Sequence, residues 1–281
     1  MPECRRILFP GGEIPLDRTR IVGIVNCTPD SFYPGSRTPG VDDAVARGLE
    51  MEQQGADLLD VGGESTRPGS PRIGEEEETA RLLPVIERLA GRVHIPISVD
   101  TYKARVAARA LDAGAVMIND VTALRGDPAM APLVGKRKAA VVLMHALWPP
   151  ATMQESPEYV DVVEDVASFL ETRARYARAH GVPEESVIVD PGIGFGKTLR
   201  NNLDLLRDVP RLLALGYPLL VGPSRKGFIG ELTGRPSEGR LAGTLAVVAL
   251  CAASGAHFVR VHDVAEARDA TRLVDAVVWQ V

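Results

Sequence analysis

The sequence predicts an α/β fold, a single (β/α)8 TIM barrel, and three observations carry that prediction. First, one unit recurs along the 281 residues: a helical pattern stops at a glycine, a short apolar strand follows, and the strand ends in polar residues. It reads clearly in "MEQQGADLLDVGGES", "LDAGAVMIND", "ALGYPLLVGPSRK" and "ASGAHFVRVHD". Second, the strands are apolar almost throughout, as strands are when helices cover both faces of a parallel sheet. Third, eight such units fit this length, with no linker or composition shift to divide it, so one domain spans 1–281. A doubly wound open sheet is the alternative arrangement of the same units.

In chain order, residues before Ile21 suit a short hairpin closing the barrel floor. Strands are expected near 21–26, 57–62, 95–100, 115–119, 139–145, 186–190, 218–222 and 257–262. Helices are expected near 41–54, 75–90, 102–112, 128–136, 160–180, 202–214, 239–254 and 264–279. Gly55, Gly114, Gly216 and Gly255 fall where a left-handed residue ends a helix. Pro84 should kink the second helix. The fifth is long and charged on its outer side, and Asp263 suits the N-cap of the eighth.

Composition narrows the function. The chain is 45% hydrophobic and 25% charged, an ordinary globular balance. A net charge of −5 with no long basic run argues against a nucleic-acid partner. No apolar run approaches a membrane span, and the N-terminus lacks the apolar core of a secretion signal. Cys4, Cys27 and Cys251 are scattered, matching neither a disulfide framework nor a zinc site; isolated thiols fit a reducing cytoplasm.

The stretch "VIVDPGIGFGKTLRNN" ends like a phosphate-binding P-loop, at Gly196-Lys197-Thr198. The first glycine of that motif, however, falls on Pro191, which has no N–H and a fixed φ. Asp190 at its front would repel phosphate. The glycines need another explanation.

In a barrel, sites form where strands end at their C-termini. Strand one ends in Asn26, strand two leads to Glu64-Ser65-Thr66-Arg67, and strand three ends in Asp100. Strand four ends in Asn119-Asp120, strand five in Met144-His145 and strand six in Asp190. Strand seven leads to Ser224-Arg225-Lys226, and strand eight gives Arg260, His262 and Asp263. The cations Arg225, Lys226 and Arg260, with His262, come from the last two strands, where barrels often bind phosphate. Asp100, Asn119 and Asp190 suit a planar nitrogen heterocycle with a donor-rich edge. The expected site is bipartite, an anion subsite beside a heterocycle pocket.

The segments "IVNCTPDSFYPG", "DVGGESTRPGS", "ISVDTYKA", "INDV", "DPGIGFGKT", "GPSRKGFIG", "RLAGTLA" and "RVHDV" together resemble the dihydropteroate synthases, in order along nearly the whole chain. "INDV" is weak alone; the set is very specific. The resemblance implies a (β/α)8 barrel that joins a dihydropterin, delivered as its methyl diphosphate, to 4-aminobenzoate in folate synthesis. It implies that Asp100, Asn119, Met144, Asp190 and Lys226 hold the pterin, and that Asn26, Arg67, Arg260 and His262 meet the diphosphate. Phe32, Thr66, Pro68, Phe195 and Ser224 would frame the aminobenzoate. Asn26, with the diphosphate, would hold Mg²⁺, which often keeps waters and shares a substrate phosphate. Asp100, Asp190, Lys226, Arg260 and His262 would carry the catalysis, and the family is typically a homodimer.

The chemistry fits these residue types. Cleaving a carbon–oxygen bond to diphosphate builds negative charge on the leaving group, which cations and Mg²⁺ stabilise. The aryl amine is a neutral nucleophile with a free lone pair, so no strong base is needed. A site rich in charge stabilisers but lacking an activated nucleophile suggests an SN1-like substitution.

The fifth loop, "MHALWPPATMQ", departs from the family, where "MHMQG" is usual; Trp148, Pro149 and Pro150 replace smaller residues. Pro223 and Gly227 in "GPSRKGFIG" also depart. Two rival readings share part of the pattern. A methyltetrahydrofolate–corrinoid methyltransferase has no diphosphate to explain Arg67 or the RVHDV motif. A catalytically silent pterin-binding paralogue would not need Asn26, Arg67, Arg260 and His262.

Overall fold

A computed structural model of the chain describes residues 6–27, 40–65, 72–147 and 157–280. Two short strands come first. β1 (Arg6–Phe9) pairs antiparallel with β2 (Gly12–Pro15), Ile7 opposite Ile14. Eight parallel strands follow, in spatial order β8-β7-β6-β5-β4-β3-β10-β9. They are β3 (Arg20–Asn26), β4 (Leu58–Gly62), β5 (Ile97–Asp100), β6 (Met117–Asp120), β7 (Ala140–Met144), β8 (Val187–Asp190), β9 (Leu220–Val221) and β10 (Phe258–Val261). A parallel bridge between Val189 and Leu219 brings the two ends of this order together, so the sheet curls into a nearly closed barrel.

The helices are α1 (Val41–Gln53), α2 (Glu75–Ala90), α3 (Ala104–Asp112), α4 (Met130–Arg137), α5 (Val162–Ala179), α6 (Leu199–Arg207), α7 (Val209–Leu213), α8 (Gly227–Thr233), α9 (Leu241–Ala253) and α10 (Val264–Val274). α2 continues through Pro84. The four glycines expected at helix ends all have positive φ, 94°, 114°, 80° and 92° in chain order. Two helical stretches differ from expectation. The sixth unit breaks at Asp208, ahead of Pro210, into α6 and α7, because proline cannot donate within a helix interior. The seventh unit holds an extra helix, α8, whose seven residues include two glycines and carry too weak a period to be read.

Side-chain alternation along the strands sorts the core into two layers. Ile21, Leu59, Val99, Ile118, Val141, Val189 and Val259 pack outward against the helices. Val22, Leu58, Met117, Val142, Ile188, Leu220 and Phe258 pack inward, around the lower half of the barrel. The hairpin adds Ile7, Ile14 and Leu16 to this inner layer, and Ser186 Oγ donates to Leu8 O at 2.8 Å. The floor is therefore plugged with apolar side chains, each contributing about 1.5–3 kcal/mol on burial. At the upper half the inward-facing rows of β4, β6, β8 and β10 turn polar, and this change of chemistry positions the site.

α4 meets the end of α5 without a side chain between them. A Cβ on Gly135 would lie 1.8 Å from the His180 carbonyl oxygen. Gly135→Ala is expected to destabilise the protein by about 1–3 kcal/mol through overpacking, measured by urea unfolding. An unchanged midpoint and slope would show that the two backbones do not approach so closely.

Candidate active site

The inward rows of β4, β5, β6 and β10 end in one buried network. Asp60, only 1% exposed, is its hub. Its carboxylate accepts from Ser98 Oγ at 2.5 Å, Asn119 Nδ2 at 2.8 Å and Arg260 Nε at 2.6 Å. Arg260 reaches on with Nη2 to Asp100 Oδ2 at 2.9 Å. Because Asp60 takes the Asn119 amide nitrogen, the amide orientation is fixed. Its Oδ1 is then buried with no partner among the described residues, an acceptor left for a ligand. Burial pushes the Asp100 carboxyl up to about 7, against the opposing pull of the Arg260 charge.

A second pair stands beside this network. Asp190, at the end of β8, accepts from the Gly192 N–H at 2.7 Å. Burial raises its carboxyl to about 6, opposed by that N–H and by Lys226, Arg260 and Lys197. Lys226 precedes α8 and is half-buried along its length. Withdrawal of its ammonium from water pulls it down to about 8, with Asp190 opposing. The ammonium lies 4.0 Å from the centre of the Phe195 ring, a cation–π contact. Met144 closes the apolar side with Val121 and Ala146.

This geometry answers the P-loop resemblance. Gly192 has φ +66°, and a Cβ there would sit 1.9 Å from the His145 carbonyl oxygen. Thr198 caps α6, accepting from Asn201 N at 3.2 Å. The Lys197 nitrogen is buried against His145 Nδ1 at 3.0 Å and the Phe195 carbonyl at 3.0 Å. Glycine, lysine and threonine here build a tight turn over the strand ends; no phosphate cradle is needed to explain them.

The other flank holds Asn26, His262 and Ser224. His262 Nδ1 lies 2.8 Å from Ser224 Oγ, and Asn26 Nδ2 lies 3.5 Å from His262 Nε2. Two expectations are corrected here. Arg225 does not join the converging cations; it forms a bidentate pair with Asp263, at 2.7 and 3.1 Å. Asp263 occupies the N-cap position of α10, but its side chain caps nothing, because Arg225 takes both its oxygens.

The structure therefore gathers Asp100, Asn119, Met144, Asp190, Phe195, Lys226 and Arg260 at one mouth, with Asn26, Ser224 and His262 alongside. Phe32, Thr66, Arg67 and Pro68 lie outside the described residues, as do Trp148, Pro149 and Pro150. Asp60 was not anticipated. Its signal was alternation: it is two residues after the inward Leu58 and so faces the barrel interior. Near the mouth, Lys103 Nζ binds Glu64 Oε2 at 2.6 Å, the Ile73 carbonyl at 2.9 Å and Glu78. It thereby ties together the described residues on either side of 66–71.

Among the described residues no group of three or more His, Cys, Asp or Glu side chains could hold a metal. No helix there is long and apolar enough to cross a membrane.

Residues 22–262 match the family model for the pterin binding enzyme. A dihydropteroate synthase from Synechocystis sp. is 42% identical over 276 residues, 97% of this chain and 95% of that protein. The Xanthomonas albilineans dihydropteroate synthase solved with 4-aminobenzoic acid is 47% identical, with TM-score 0.92 over 97% of this chain and 98% of that one. The same enzyme solved with 7,8-dihydropteroate gives TM-score 0.89 at 46% identity, over 97% and 98% of the two chains.

Asp60→Ala is expected to strand Arg260 and Asn119 without their carboxylate. Removing one partner from a buried ionic network costs about 3–5 kcal/mol; the remaining Asp100 contact places the value near the low end. Denaturant unfolding measures it, and a loss below about 1 kcal/mol would show that Asp60 is not the hub.

Proposed function

The chain belongs to the pterin-binding enzymes of the dihydropteroate synthase family, and from that membership we infer how its own residues run the reaction. The enzyme joins (7,8-dihydropterin-6-yl)methyl diphosphate to 4-aminobenzoate, giving 7,8-dihydropteroate and pyrophosphate, in folate synthesis. One observation carries the assignment of the pterin pocket: the unpartnered Asn119 oxygen stands in the same mouth as the carboxylates of Asp100 and Asp190 and the ammonium of Lys226. A pterin edge offers N–H donors to carboxylates and amide oxygens, and a carbonyl to an ammonium. Met144 forms an apolar wall for the ring, and Phe195 faces the aminobenzoate.

The leaving diphosphate belongs on the flank of Asn26, His262 and Arg260, with Arg67, outside the described residues, as a further proposed contact. Arg260 has Nε and Nη2 committed to carboxylates, so it meets the anion with its remaining Nη1 edge. His262, its Nδ1 2.8 Å from Ser224 Oγ, is held in orientation before substrate arrives. Phe32, Thr66, Pro68 and Ser224 complete the aminobenzoate subsite.

Asn26 fits a magnesium ion of a particular kind. It supplies one hard oxygen at a strand end, with no cluster of carboxylates or imidazoles around it among the described residues. That suits Mg²⁺ held jointly by Asn26, water and the diphosphate, and not a fully protein-bound metal. Bound there, Mg²⁺ would supply charge neutralisation of the leaving group.

The carbon–oxygen bond breaks first in this reading. Asp100 and Asp190 stabilise the positive charge that spreads from the pterin methylene into its ring, and the flank cations stabilise the diphosphate. The neutral aryl amine then attacks, and its proton leaves afterwards. A homodimer is the proposed assembly, and the exposed apolar side chains of Leu232, Leu250, Leu273, Val277 and Val278, on or next to α8, α9 and α10, support it. Buried free Cys27 and Cys251 agree with a cytoplasmic setting.

Single-turnover pyrophosphate release tests the order of steps. With pterin diphosphate and Mg²⁺ alone, release should proceed at a rate comparable to that with aminobenzoate present. Release that waits for aminobenzoate contradicts the SN1-like order.

A further inference from the structure

We propose that Lys197 is a positioning residue: its side-chain nitrogen fastens the turn carrying Phe195 to the base of the loop after β7, and so holds the wall of the aminobenzoate subsite. The inference rests on the reaction assigned above.

The turn after β8 has little intrinsic reason to hold one shape. Gly192, Gly194 and Gly196 all have positive φ, at 66°, 82° and 63°. Glycine tolerates that conformation without preferring it, so the shape must be set from outside. Phe195 sits between two of these glycines and supplies the ring on which the Lys226 ammonium rests. A Cβ on Gly194 would lie 3.1 Å from Lys226 Cδ, so the turn packs directly on the lysine stem.

Lys197 binds this turn from below. Its nitrogen is buried and meets three acceptors: Phe195 O at 3.0 Å, His145 Nδ1 at 3.0 Å and His145 O at 3.3 Å. Burial pulls its ammonium down to about 7, with Asp190 opposing, and the three acceptors match the three N–H donors of the protonated form. The imidazole can accept because it is uncharged: burial, then Lys197 and Arg125, pull His145 down to about 2. His145 is itself fixed, edge-on to Phe169 at 4.8 Å. The adjoining backbone is held too, by Arg125 Nη2 on the Ala146 carbonyl at 2.8 Å. One end of the Lys197 bridge is thus rigid, and the other is the carbonyl of the residue that faces the substrate. Lys197 touches no reacting atom.

A double-mutant cycle tests this through the KM for aminobenzoate, with Lys197→Met, Phe195→Ala and both together. Methionine keeps the length and loses the donors. Lys197→Met is expected to raise that KM about tenfold, the loss of a buried hydrogen bond, and to change the KM for the pterin diphosphate far less. In the Phe195→Ala background the same change should add nothing, because Lys197 acts through Phe195. An equal rise in both backgrounds, or none in either, overturns the proposal. If Lys197→Met does not fold, the cycle is run with Lys197→Gln, which keeps two N–H donors, with the same criterion and a smaller rise. Wild-type turnover with both substrates tests the assigned reaction separately, since the cycle concerns only ratios between variants.

Discussion

Charges drawn into the interior of a barrel must be neutralised by one another, because burial strips them of water. This constraint organises the whole upper half of the molecule. Asp60 holds Arg260, Arg260 holds Asp100, and Asp60 also turns the Asn119 amide so that its oxygen stays available. Asp190 and Lys226 act on each other's charge in the same mouth. Asp60, Asp100 and Arg260 thus neutralise one another before any ligand arrives. A ligand finds donors and acceptors already aimed, and reorganisation during the reaction is small.

The barrel divides its labour along four of its strands. On β4 the inward row runs from Leu58 to Asp60, on β6 from Met117 to Asn119, on β8 from Ile188 to Asp190 and on β10 from Phe258 to Arg260. One step along a strand, two residues, changes apolar plug into polar mouth. The hairpin seals the lower end, and the turn after β8 folds over the upper one. A rigid floor lets short polar side chains reach a common point from strands far apart in sequence.

Much of this was legible in the sequence. The repeat of glycine, apolar strand and polar strand end gave the barrel, and the strand ends gave most residues of the mouth, because position along a parallel strand is set by simple alternation. Asp60 escaped notice because it lies within the apolar run of its strand and not at its end; counting inward positions from Leu58 finds it. Arg225 was misread because a residue's place in the sequence does not say which neighbour captures its charge, and Asp263 did so from the next strand's end. The short α8 and the break between α6 and α7 depend on proline, glycine and tertiary packing more than on period.

The central claim is that a carboxylate and an ammonium, both charged, recognise one edge of a pterin. Calorimetry of a pterin binding across about pH 5 to 9 tests it directly. Asp100 and Asp190, raised to about 7 and about 6, lose their charge as pH falls through those values. Lys226, lowered to about 8, loses its charge as pH rises through that value. Affinity should therefore peak near neutrality and fall on both sides; an affinity that does not change across the range would contradict the account.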